Sequence, residues 1–392
     1  MLNNKVILQI VPALNNGGVE RGVIETSKFL VKNNNKSIVI SSGGVYEHLI
    51  SRHGGILYKL DVHLKNPLKW KKLRIKVEEI IKKEKVDLIH VCSRVPAWIT
   101  YPIAENLKIP FVTSVHGRLR NQNFLKNYYN SILIKGDVII AISKHIKDNI
   151  VNVFPNVKDK VSIVYRGVDL ENFNLNNISN TRIVNQAKLL GVRDGSPVIL
   201  MASRPKAWKG HLIFIKALSK VKIDYQCFLI GALDGDEKFK RDIYKQISEL
   251  NLGNKVKLTK STNDIQSAFV LSDIVVMPSI DPEPFGRIII EAQALKKIAI
   301  GFDHGGISES IIDNETGLLA KPLDVNDLGK KIETALQFNK TQRKIINNNA
   351  IKILKEKFSL EKMCTDTLNL YKNCIDKYLS LIHISEPTRP ER

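Results

Sequence analysis

One strand-loop-helix unit sets the architecture expected for this chain: residues Ile274–Ala292 read IVVMPSIDPEPFGRIIIEA. The β-branched apolar run Ile274–Met277 predicts a buried strand, and the apolar run after Gly286 predicts a helix. Pro284 suits the first turn of that helix, where a missing N–H is tolerated. The N–H groups near Phe285 and Gly286 would then form an anion site at the positive end of the helix dipole.

The same unit contains two glutamates, Glu283 and Glu291, eight positions apart. Eight residues are slightly more than two helical turns, so both carboxylates lie near one face if Glu283 bends back over the helix entrance. One carboxylate can then hold a sugar hydroxyl and the other a ribose diol. The alternative is that the two glutamates only cap the helix and complement its dipole.

Outward from this unit, short β-branched apolar runs alternate with longer amphipathic stretches, which is typical of parallel sheets with crossover helices. Two Rossmann-like domains joined by a linker are the simplest account. Ligands of such sheets bind at the carboxyl ends of the strands, so we expect the site in a cleft between two facing domains. The predicted strands are Lys5–Val11, Ser37–Ile40, Val86–Val91, Phe111–Val115, Val138–Ile142, Val161–Val164, Val198–Ala202, Cys227–Ile230, Val256–Leu258, Ile274–Met277 and Ile298–Gly301.

The predicted division of the chain follows its composition. We expect an N-terminal domain over residues 1–175, a polar linker over 176–196, a C-terminal domain over 197–357, and a helix over 358–378 that packs back on the N-terminal domain. Residues 379–392 are predicted to be a non-native tail, because LSLIHISEPTR (379–389) resembles the translation of a sequencing-library adapter. The alternative is a native polar C-terminus.

In its strand, loop and helix setting, the pair of Glu283 and Glu291 resembles the signature of glycosyltransferase family 4, retaining transferases with the two-domain GT-B fold. The resemblance covers nearly all of Lys5–Tyr378. It implies an acceptor-side domain at 1–175 and a nucleotide-sugar-binding domain at 197–357. It also implies that Glu283 contacts the donor sugar and that Glu291 contacts the nucleotide ribose.

The predicted strand Val198–Ala202 is followed by Ser203–His211, which reads SRPKAWKGH. A diphosphate leaving group gains negative charge as its bond to a sugar breaks, and fixed cations beside it stabilise that charge. The resemblance gives this role to Arg204 and Lys209, with Lys206 as a substitute for either. The alternative is that these cations are solvated loop charges.

Two features of the N-terminal half complete the predicted site. Gly17 and Gly18 follow the first strand, and paired glycines let a backbone approach a phosphate or an acceptor closely. The resemblance places this loop at the donor diphosphate and the acceptor, and a simple tight turn is the alternative. The strand Phe111–Val115 ends in His116, which the resemblance places beside the donor sugar, with a purely structural histidine as the alternative.

Other loops match the family or depart from it. Asp303–Glu309 and Asn314–Leu319 match its Gly-Gly-x-x-Glu stretch and the following turn, and we expect them to support the nucleotide pocket. Where the family reads Pro-Asn-Gly-Val-Asp, this chain has Tyr165–Asp169 (YRGVD), a change that we expect to affect acceptor choice. Asp234–Asp236 (DGD) has the form of an Asp-x-Asp metal motif, but the resemblance implies no metal.

The composition excludes several classes of protein. With 43% hydrophobic and 25% charged residues among 392, the chain is neither disordered, collagen-like nor a disulfide scaffold. No window approaches about 18 uncharged apolar residues, so no membrane span is predicted. The cysteines form no CxxC pair and fit a reducing compartment; they are Cys92, Cys227, Cys364 and Cys374.

The net charge is +21, and residues 1–175 contribute +13 of it, from 27 Lys and Arg against 14 Asp and Glu. Within this part, Asn66–Lys85 predicts a core-facing helix with a basic, solvated outer face, and contact with anionic lipid is the alternative. Arg118–Leu133 is a second candidate for lipid contact, because aromatic and basic residues are interleaved there. The apolar stripe predicted in Asn66–Lys85 consists of Trp70, Leu73, Val77, Ile80 and Ile81.

We therefore predict a metal-independent retaining glycosyltransferase without a cofactor, which moves a sugar from a UDP- or GDP-sugar to a glycolipid or saccharide acceptor. The product would be a cell-envelope polysaccharide precursor, such as one for lipopolysaccharide. We expect a cytoplasmic protein, with a peripheral position on the inner face of the cytoplasmic membrane as a further option.

The predicted catalytic residues are His116, Glu283, Arg204 and Lys209, and the predicted donor-binding residues are Gly17, Gly18, Arg204, Lys209, Glu283, Phe285, Gly286 and Glu291. Two alternatives remain open. One is a nucleotide-sugar epimerase on a similar fold, which would react without an acceptor. The other is a basic nucleic-acid-binding protein, which would need a recognisable module that this sequence lacks, so no nucleic-acid partner is expected.

Overall fold

The structure is a computed structural model that describes residues 2–15, 17–120 and 123–385, without the side chains of Leu379 and residues 381–385. The chain forms two compact units. Unit 1 consists of Met1–Arg166 together with Met363–Arg392, and unit 2 is the continuous segment Gly167–Lys362. Residues 386–392 of the predicted non-native tail lie outside the described residues.

Unit 1 contains a parallel sheet with seven described strands. They are β1 (Val6–Ile10), β2 (Lys36–Ser41), β3 (Ile56–Lys59), β4 (Leu88–Val91), β5 (Phe111–Val115), β6 (Val138–Ala141) and β7 (Val161–Ile163). The order across the sheet is β3-β2-β1-β4-β5-β6-β7. The direction in which successive strands are added reverses at β1, which has β2 on one side and β4 on the other. Strands β4 and β5 are buried along their whole length, and β1, β2 and β6 are buried at all but their first residue, which explains their continuous apolar runs.

Helices connect these strands, and side chains define where several of them begin. The Asn123 side chain caps one helix by accepting from Lys126 N, and the Ser143 side chain caps the next by accepting from Ile146 N. The helices are α1 (Gly18–Lys32), α2 (Glu47–Arg52), α3 (Trp70–Glu84), α4 (Arg94–Leu107), α5 (Phe124–Ser131) and α6 (Lys144–Val153). A long last helix, α15 (Leu360–Ser385), begins at the end of unit 2 and continues in unit 1.

A buried polar cluster joins α15 to the sheet of unit 1. Gln9 of β1 and His90 of β4 are register partners. The His90 ring lies with Nε2 2.6 Å from Ser114 Oγ of β5 and with Nδ1 2.6 Å from the hydroxyl of Tyr371 on α15. Burial, with a smaller contribution from the charge of Arg166, lowers the pKa of His90 to about 3, so the ring stays neutral.

Unit 2 repeats the arrangement with six described parallel strands. They are β8 (Val198–Ala202), β9 (Gln226–Ile230), β10 (Val256–Thr259), β11 (Ile274–Met277), β12 (Ile298–Phe302) and β13 (Leu318–Ala320). Their order is β10-β9-β8-β11-β12-β13, which reverses direction between β8 and β11.

The helices of unit 2 complete its core, in which Phe214, Tyr225 and Phe302 are fully buried. The Tyr225 hydroxyl donates to Leu218 O at 2.9 Å, so its polar end is satisfied inside the core. The helices are α7 (Asn180–Leu190), α8 (His211–Leu218), α9 (Glu237–Glu249), α10 (Ile265–Leu271), α11 (Arg287–Ala294), α12 (Ile307–Ser310), α13 (Val325–Gln337) and α14 (Lys340–Lys357).

The predicted fold class of two Rossmann-like α/β domains is confirmed, but some details differ. Residues 176–196, predicted as a linker, contain helix α7 and belong to unit 2. Strands β3 and β13 were not predicted, because the first is half-exposed and the second has only three residues. No helix in the described part of the chain has the length and apolarity to cross a bilayer.

The Tyr371–His90 contact gives a stability prediction. Replacing Tyr371 with Phe leaves a buried ring nitrogen of His90 without its partner, which costs about 1–3 kcal/mol. We expect the urea midpoint for unfolding of unit 1 to fall. The control is Tyr128→Phe, because Tyr128 is exposed. Equal midpoints for the Tyr371 and Tyr128 variants would show that the hydrogen bond does not stabilise the packing of α15.

Candidate functional site

The first candidate site lies in unit 2, on the loops after β8 and β11. These strands are neighbours at the point where the strand order reverses, which is where open α/β sheets bind ligands. Gly210, at φ +84°, lies so close to the Pro278 carbonyl that a side chain would collide with it. The two loops are joined further by Ile280 N, which donates to Trp208 O at 2.8 Å. Close packing therefore holds the two loops together.

An ion pair between Lys209 and Glu283 forms the centre of this site. The Lys209 ammonium donates to Glu283 Oε1 at 2.6 Å, and only 11% and 5% of the two side chains are exposed. Ser279, fully buried, donates its hydroxyl to the same oxygen at 2.5 Å. The Lys209 ammonium also lies 4.2 Å from the ring centroid of Trp208. A carboxylate and an ammonium are thus fixed side by side at the ends of β8 and β11.

The remaining predicted cations of this loop lie further out. Arg204 and Lys206 are both exposed. No residue in the described ranges pairs with the Arg204 guanidinium. The structure therefore separates one buried, paired cation, Lys209, from one solvated cation, Arg204, that a ligand can reach.

The backbone of Glu283 is held by the loop after β12. Gly306 N donates to Glu283 O at 2.7 Å. A side chain on Gly305 would lie within 2.7 Å of Glu283 O, and one on Gly306 would lie within 2.7 Å of Pro284 O. His304 Nε2 donates to Ser279 O at 2.8 Å. This glycine pair, predicted as scaffold, lets two loops pack backbone against backbone.

The helix entrance differs from the predicted one. Helix α11 begins at Arg287, so Pro284 lies in the loop before it and not in the first turn. Gly286 adopts φ +90°, a left-handed conformation that breaks the helix before Arg287. Glu291 is buried and accepts from Arg287 Nε at 3.3 Å, and Phe285 is 2% exposed. The two glutamates of the motif therefore each have a basic partner of their own.

Unit 1 contains the other predicted residues. Gly17 is extended, at φ −173°, and Gly18 begins α1, so neither glycine forms a left-handed turn. A side chain on Gly17 would collide with the carboxylate of Glu20. His116 follows β5, and its Nδ1 lies 3.3 Å from the Arg166 guanidinium, which also donates to Gly18 O at 3.1 Å. The structure thus brings Gly18 and His116 together around Arg166.

Arg166 was not among the predicted site residues. The sequence feature that points to Arg166 is its position in Tyr165–Asp169, where the chain departs from the family's pattern. Sequence spacing alone does not show what the guanidinium contacts. Burial first, then the charge of Arg166, hold the pKa of His116 well below its usual range. His116 is therefore a neutral imidazole.

The Asp-x-Asp motif has structural roles. Asp236 caps α9 by accepting from Phe239 N at 2.8 Å, and Asp234 accepts from Ser261 N at 2.9 Å. Among residues 2–15, 17–120 and 123–385, no three His, Cys, Asp or Glu side chains are grouped as metal ligands.

Two protein families match this chain, one in each half. The family described as Glycosyltransferase Family 4 matches residues 16–172. The family described as Glycosyl transferases group 1 matches residues 185–352. The second match includes the loops that carry Lys209 and Glu283.

Solved structures and a sequence relative agree with these matches. A glycosyltransferase from Rickettsia africae is 34% identical, with a TM-score of 0.88, over 95% of this chain and 99% of that one. HepE of Anabaena, solved with UDP and glucose, is 23% identical, with a TM-score of 0.81, over 94% and 100%. A Campylobacter jejuni relative is 27% identical over 62% of this chain and 65% of its own length. It is an N-acetylgalactosamine-N,N'-diacetylbacillosaminyl-diphospho-undecaprenol 4-alpha-N-acetylgalactosaminyltransferase.

The histidine that begins α8 gives a pH prediction. His211 is buried, with Nε2 3.2 Å from Ser203 Oγ, and burial lowers its pKa from 6.5 to about 4. The unfolded chain therefore takes up this proton at a higher pH than the folded chain does. The resulting stability is present above pH 6.5 and is lost as the pH falls towards 4, by about 3 kcal/mol in total.

Urea midpoints of unit 2 measured between pH 7.5 and 4 test this prediction. We expect the wild type to lose stability more steeply than His211→Gln does. A substitution of the exposed His48 is the control, and it should keep the wild-type slope. A His211→Gln slope equal to that of the wild type would contradict the prediction.

Proposed function

Since the chain belongs to the GT4-type glycosyltransferases of the GT-B fold, we propose that it moves a sugar, with retention of configuration, from a nucleotide diphosphate sugar to a hydroxyl acceptor. The observation that carries this proposal is the Lys209–Glu283 pair of unit 2. A sugar bonded to a diphosphate presents hydroxyls and negative charge next to each other. A carboxylate and an ammonium side by side match those two parts of one ligand.

In this proposal each residue has a separate role. Lys209, Arg204 and the N–H groups of Phe285 and Gly286 stabilise the diphosphate as its charge grows. Glu283 accepts hydrogen bonds from hydroxyls of the sugar, and Glu291 does so from the ribose. Ser279 and the Gly305–Gly306 loop keep Glu283 in place, since they contact its side chain and backbone.

The proposed transfer is a same-face exchange at the anomeric carbon. The bond between that carbon and the departing phosphate oxygen breaks, and the acceptor oxygen bonds to the carbon on the same face. The hydroxyl proton of the acceptor passes to the departing phosphate. We propose that the reaction needs no metal cofactor, because Lys209 and Arg204 supply the positive charge that the diphosphate requires.

The proposed donor and acceptor are drawn from the relatives of this chain. UDP sugars are the first donors to test, because HepE was solved with UDP, and GDP sugars are the second. A glycolipid or saccharide on the path to a cell-envelope polysaccharide is the proposed acceptor, and the lipid-diphosphate acceptor named for the Campylobacter relative supports it. We place Gly17, Gly18 and His116 on the acceptor-side unit and propose that they contact the reacting sugar or its acceptor.

A membrane surface is part of the proposal, and its support lies on unit 1. The apolar stripe of α3 is core-facing, since Leu73, Val77, Ile80 and Ile81 are buried, so this helix does not present it to lipid. Helix α5 does present apolar side chains: Phe124, Leu125 and Tyr128 are 83%, 76% and 60% exposed.

Helix α4 links the basic outer side of α3 to α5. Arg74 of α3 donates to Trp98 O at 3.1 Å, and the Trp98 ring lies 5.2 Å from that of Tyr128. We call the exposed residues of α3 and α5 the α3–α5 face. We propose that this face binds the anionic inner surface of the cytoplasmic membrane. The residues that define it are Lys71, Lys72, Lys76, Phe124, Leu125 and Tyr128.

The donor site predicts two different binding defects. Arg204→Ala should weaken UDP and UDP-sugars alike, by about tenfold to a hundredfold, because a charged hydrogen bond to the diphosphate is lost. Glu283→Gln should leave UDP binding nearly unchanged and remove the additional affinity that the sugar provides. Isothermal titration with UDP, GDP, ADP and their sugars measures both effects.

The controls for the donor test separate its outcomes. Lys206→Ala removes an exposed cation from the same loop and keeps the backbone hydrogen bonds of residue 206 to Arg204 and Lys209, so this variant should bind as the wild type does. Failure of every nucleotide and nucleotide sugar to bind the wild type would contradict the donor site. Reaction of a bound donor without any acceptor would favour an epimerase, and an inverted product would contradict retention.

The α3–α5 face predicts binding to anionic vesicles. Phe124→Ser with Leu125→Ser removes two exposed apolar side chains, and we expect about tenfold weaker binding to vesicles of phosphatidylglycerol and phosphatidylcholine. Flotation with and without the anionic lipid measures it. The matched control is Leu212→Ser with Tyr244→Ser, which removes exposed apolar side chains from unit 2. Equal flotation with and without anionic lipid would contradict the proposal.

A further inference from the structure

Three segments of unit 1 meet at the Arg166 guanidinium. Its Nη2 donates to Gly18 O of α1 at 3.1 Å and lies 3.3 Å from Nδ1 of His116, which follows β5. Gly22, one turn further along α1, provides the space: a side chain there would lie 2.5 Å from Arg166 Nη1 and 2.9 Å from Cζ. The guanidinium is therefore fitted against the helix and is not a loose surface charge.

This arrangement limits which ring nitrogen of His116 can carry the proton. A guanidinium has donors only and is always charged, so the nitrogen that it approaches must act as an acceptor. Nδ1 of His116 is that acceptor. The proton of the neutral ring is then on Nε2.

The far side of the ring agrees with this assignment. Nε2 of His116 is buried and has no partner among the described residues, and the same is true of Oε1 of Gln9. Both residues line one cavity of about 20 Å³, which has room for a single water-sized group. A single group of this size can accept from an N–H on His116 and donate to the acceptor oxygen of Gln9, so the cavity accommodates the Nε2–H form.

We propose that Arg166 is a positioning residue that fixes His116 as the neutral, Nε2-protonated tautomer. His116 is thereby kept as a hydrogen-bond donor and does not act as a base through Nε2. At position 166 this chain has arginine where the family's pattern has asparagine. The proposed control of the His116 tautomer therefore depends on a residue that the pattern does not contain. Only the kinetic consequence of this inference rests on the proposed function.

The surroundings of His116 support a ring that stays neutral across the physiological pH range. Burial contributes most, and the neighbouring Arg166 charge contributes next, to a lowered pKa of His116. The titratable and charged residues that line the same cavity are Arg166 from the segment after β7, His90 of β4 and Cys92 directly after it. Behind them, Tyr371 of α15 contacts His90, and Glu20 of α1 acts on Cys92.

The test uses the full chain with its histidines labelled with nitrogen-15. Long-range ring correlations between pH 5 and 8 report which nitrogen is protonated, and His116→Gln assigns the signal. We expect the wild type to show Nε2–H, with no titration in this range. In Arg166→Met we expect a mixture of tautomers or a titrating ring, and Arg166→Lys, which still offers a charged donor, should restore the wild-type pattern.

A second variant keeps the charge and displaces it. Gly22→Ala places a methyl group against the guanidinium, so it should shift His116 in the same direction as Arg166→Met does. This variant decides the question even if Arg166→Met does not fold. Nδ1–H or imidazolium in the wild type at pH 7, or unchanged His116 signals in both variants, would overturn the inference.

The kinetic arm separates a positioning role from a merely structural one. At pH 7.5, kcat/KM of Arg166→Met should be at least about threefold below that of the wild type, because part of its His116 no longer carries the proton on Nε2. Arg166→Lys, which keeps a charged donor, should follow the wild type. Equal kcat/KM for wild type and Arg166→Met, or no recovery in Arg166→Lys, would overturn the positioning role. If no donor reacts at all, the proposed function fails while the nitrogen spectra still test the tautomer.

Discussion

Parallel pairing of the strands is the constraint on which both units depend. When all strands of a sheet run the same way, their carboxyl ends meet at one edge, and a crossover helix must return the chain each time. The strand order reverses between β1 and β4 and between β8 and β11, and open α/β sheets bind ligands at such reversals. Gly18 begins the helix after β1. The segments after β8 and β11 contain Lys209 and Glu283, respectively.

The chemistry of unit 2 depends on a charge pair removed from most of the solvent. Taking Lys209 and Glu283 out of water costs desolvation energy, and their attraction offsets that cost only if geometry and further hydrogen bonds are good. Ser279 and the ring of Trp208 supply those additional contacts. Unit 1 is organised differently, because His90 and His116 are neutral and the charge beside them is that of Arg166.

Much of this fold could be predicted from the sequence, because apolar runs bounded by turns mark buried parallel strands. Phe111–Val115, Val198–Ala202 and Ile274–Met277 have the predicted bounds. The start of α11 could not be predicted as well, since Pro284 allows a helix and only the left-handed backbone of Gly286 excludes it. The partners of the site residues could not be predicted either. Segments that are distant in sequence are joined by the contacts Lys209–Glu283 and Arg166–His116, and local spacing does not encode such contacts.

The return of α15 to unit 1 affects the order in which the chain can fold during synthesis. Unit 2 is one uninterrupted segment, so all its residues are available once Lys362 has left the ribosome. Unit 1 is completed later, because Tyr371 pairs with His90 across 281 positions of sequence. Until then His90 lacks its Tyr371 partner, and the unit that was synthesised first is the last to be completed.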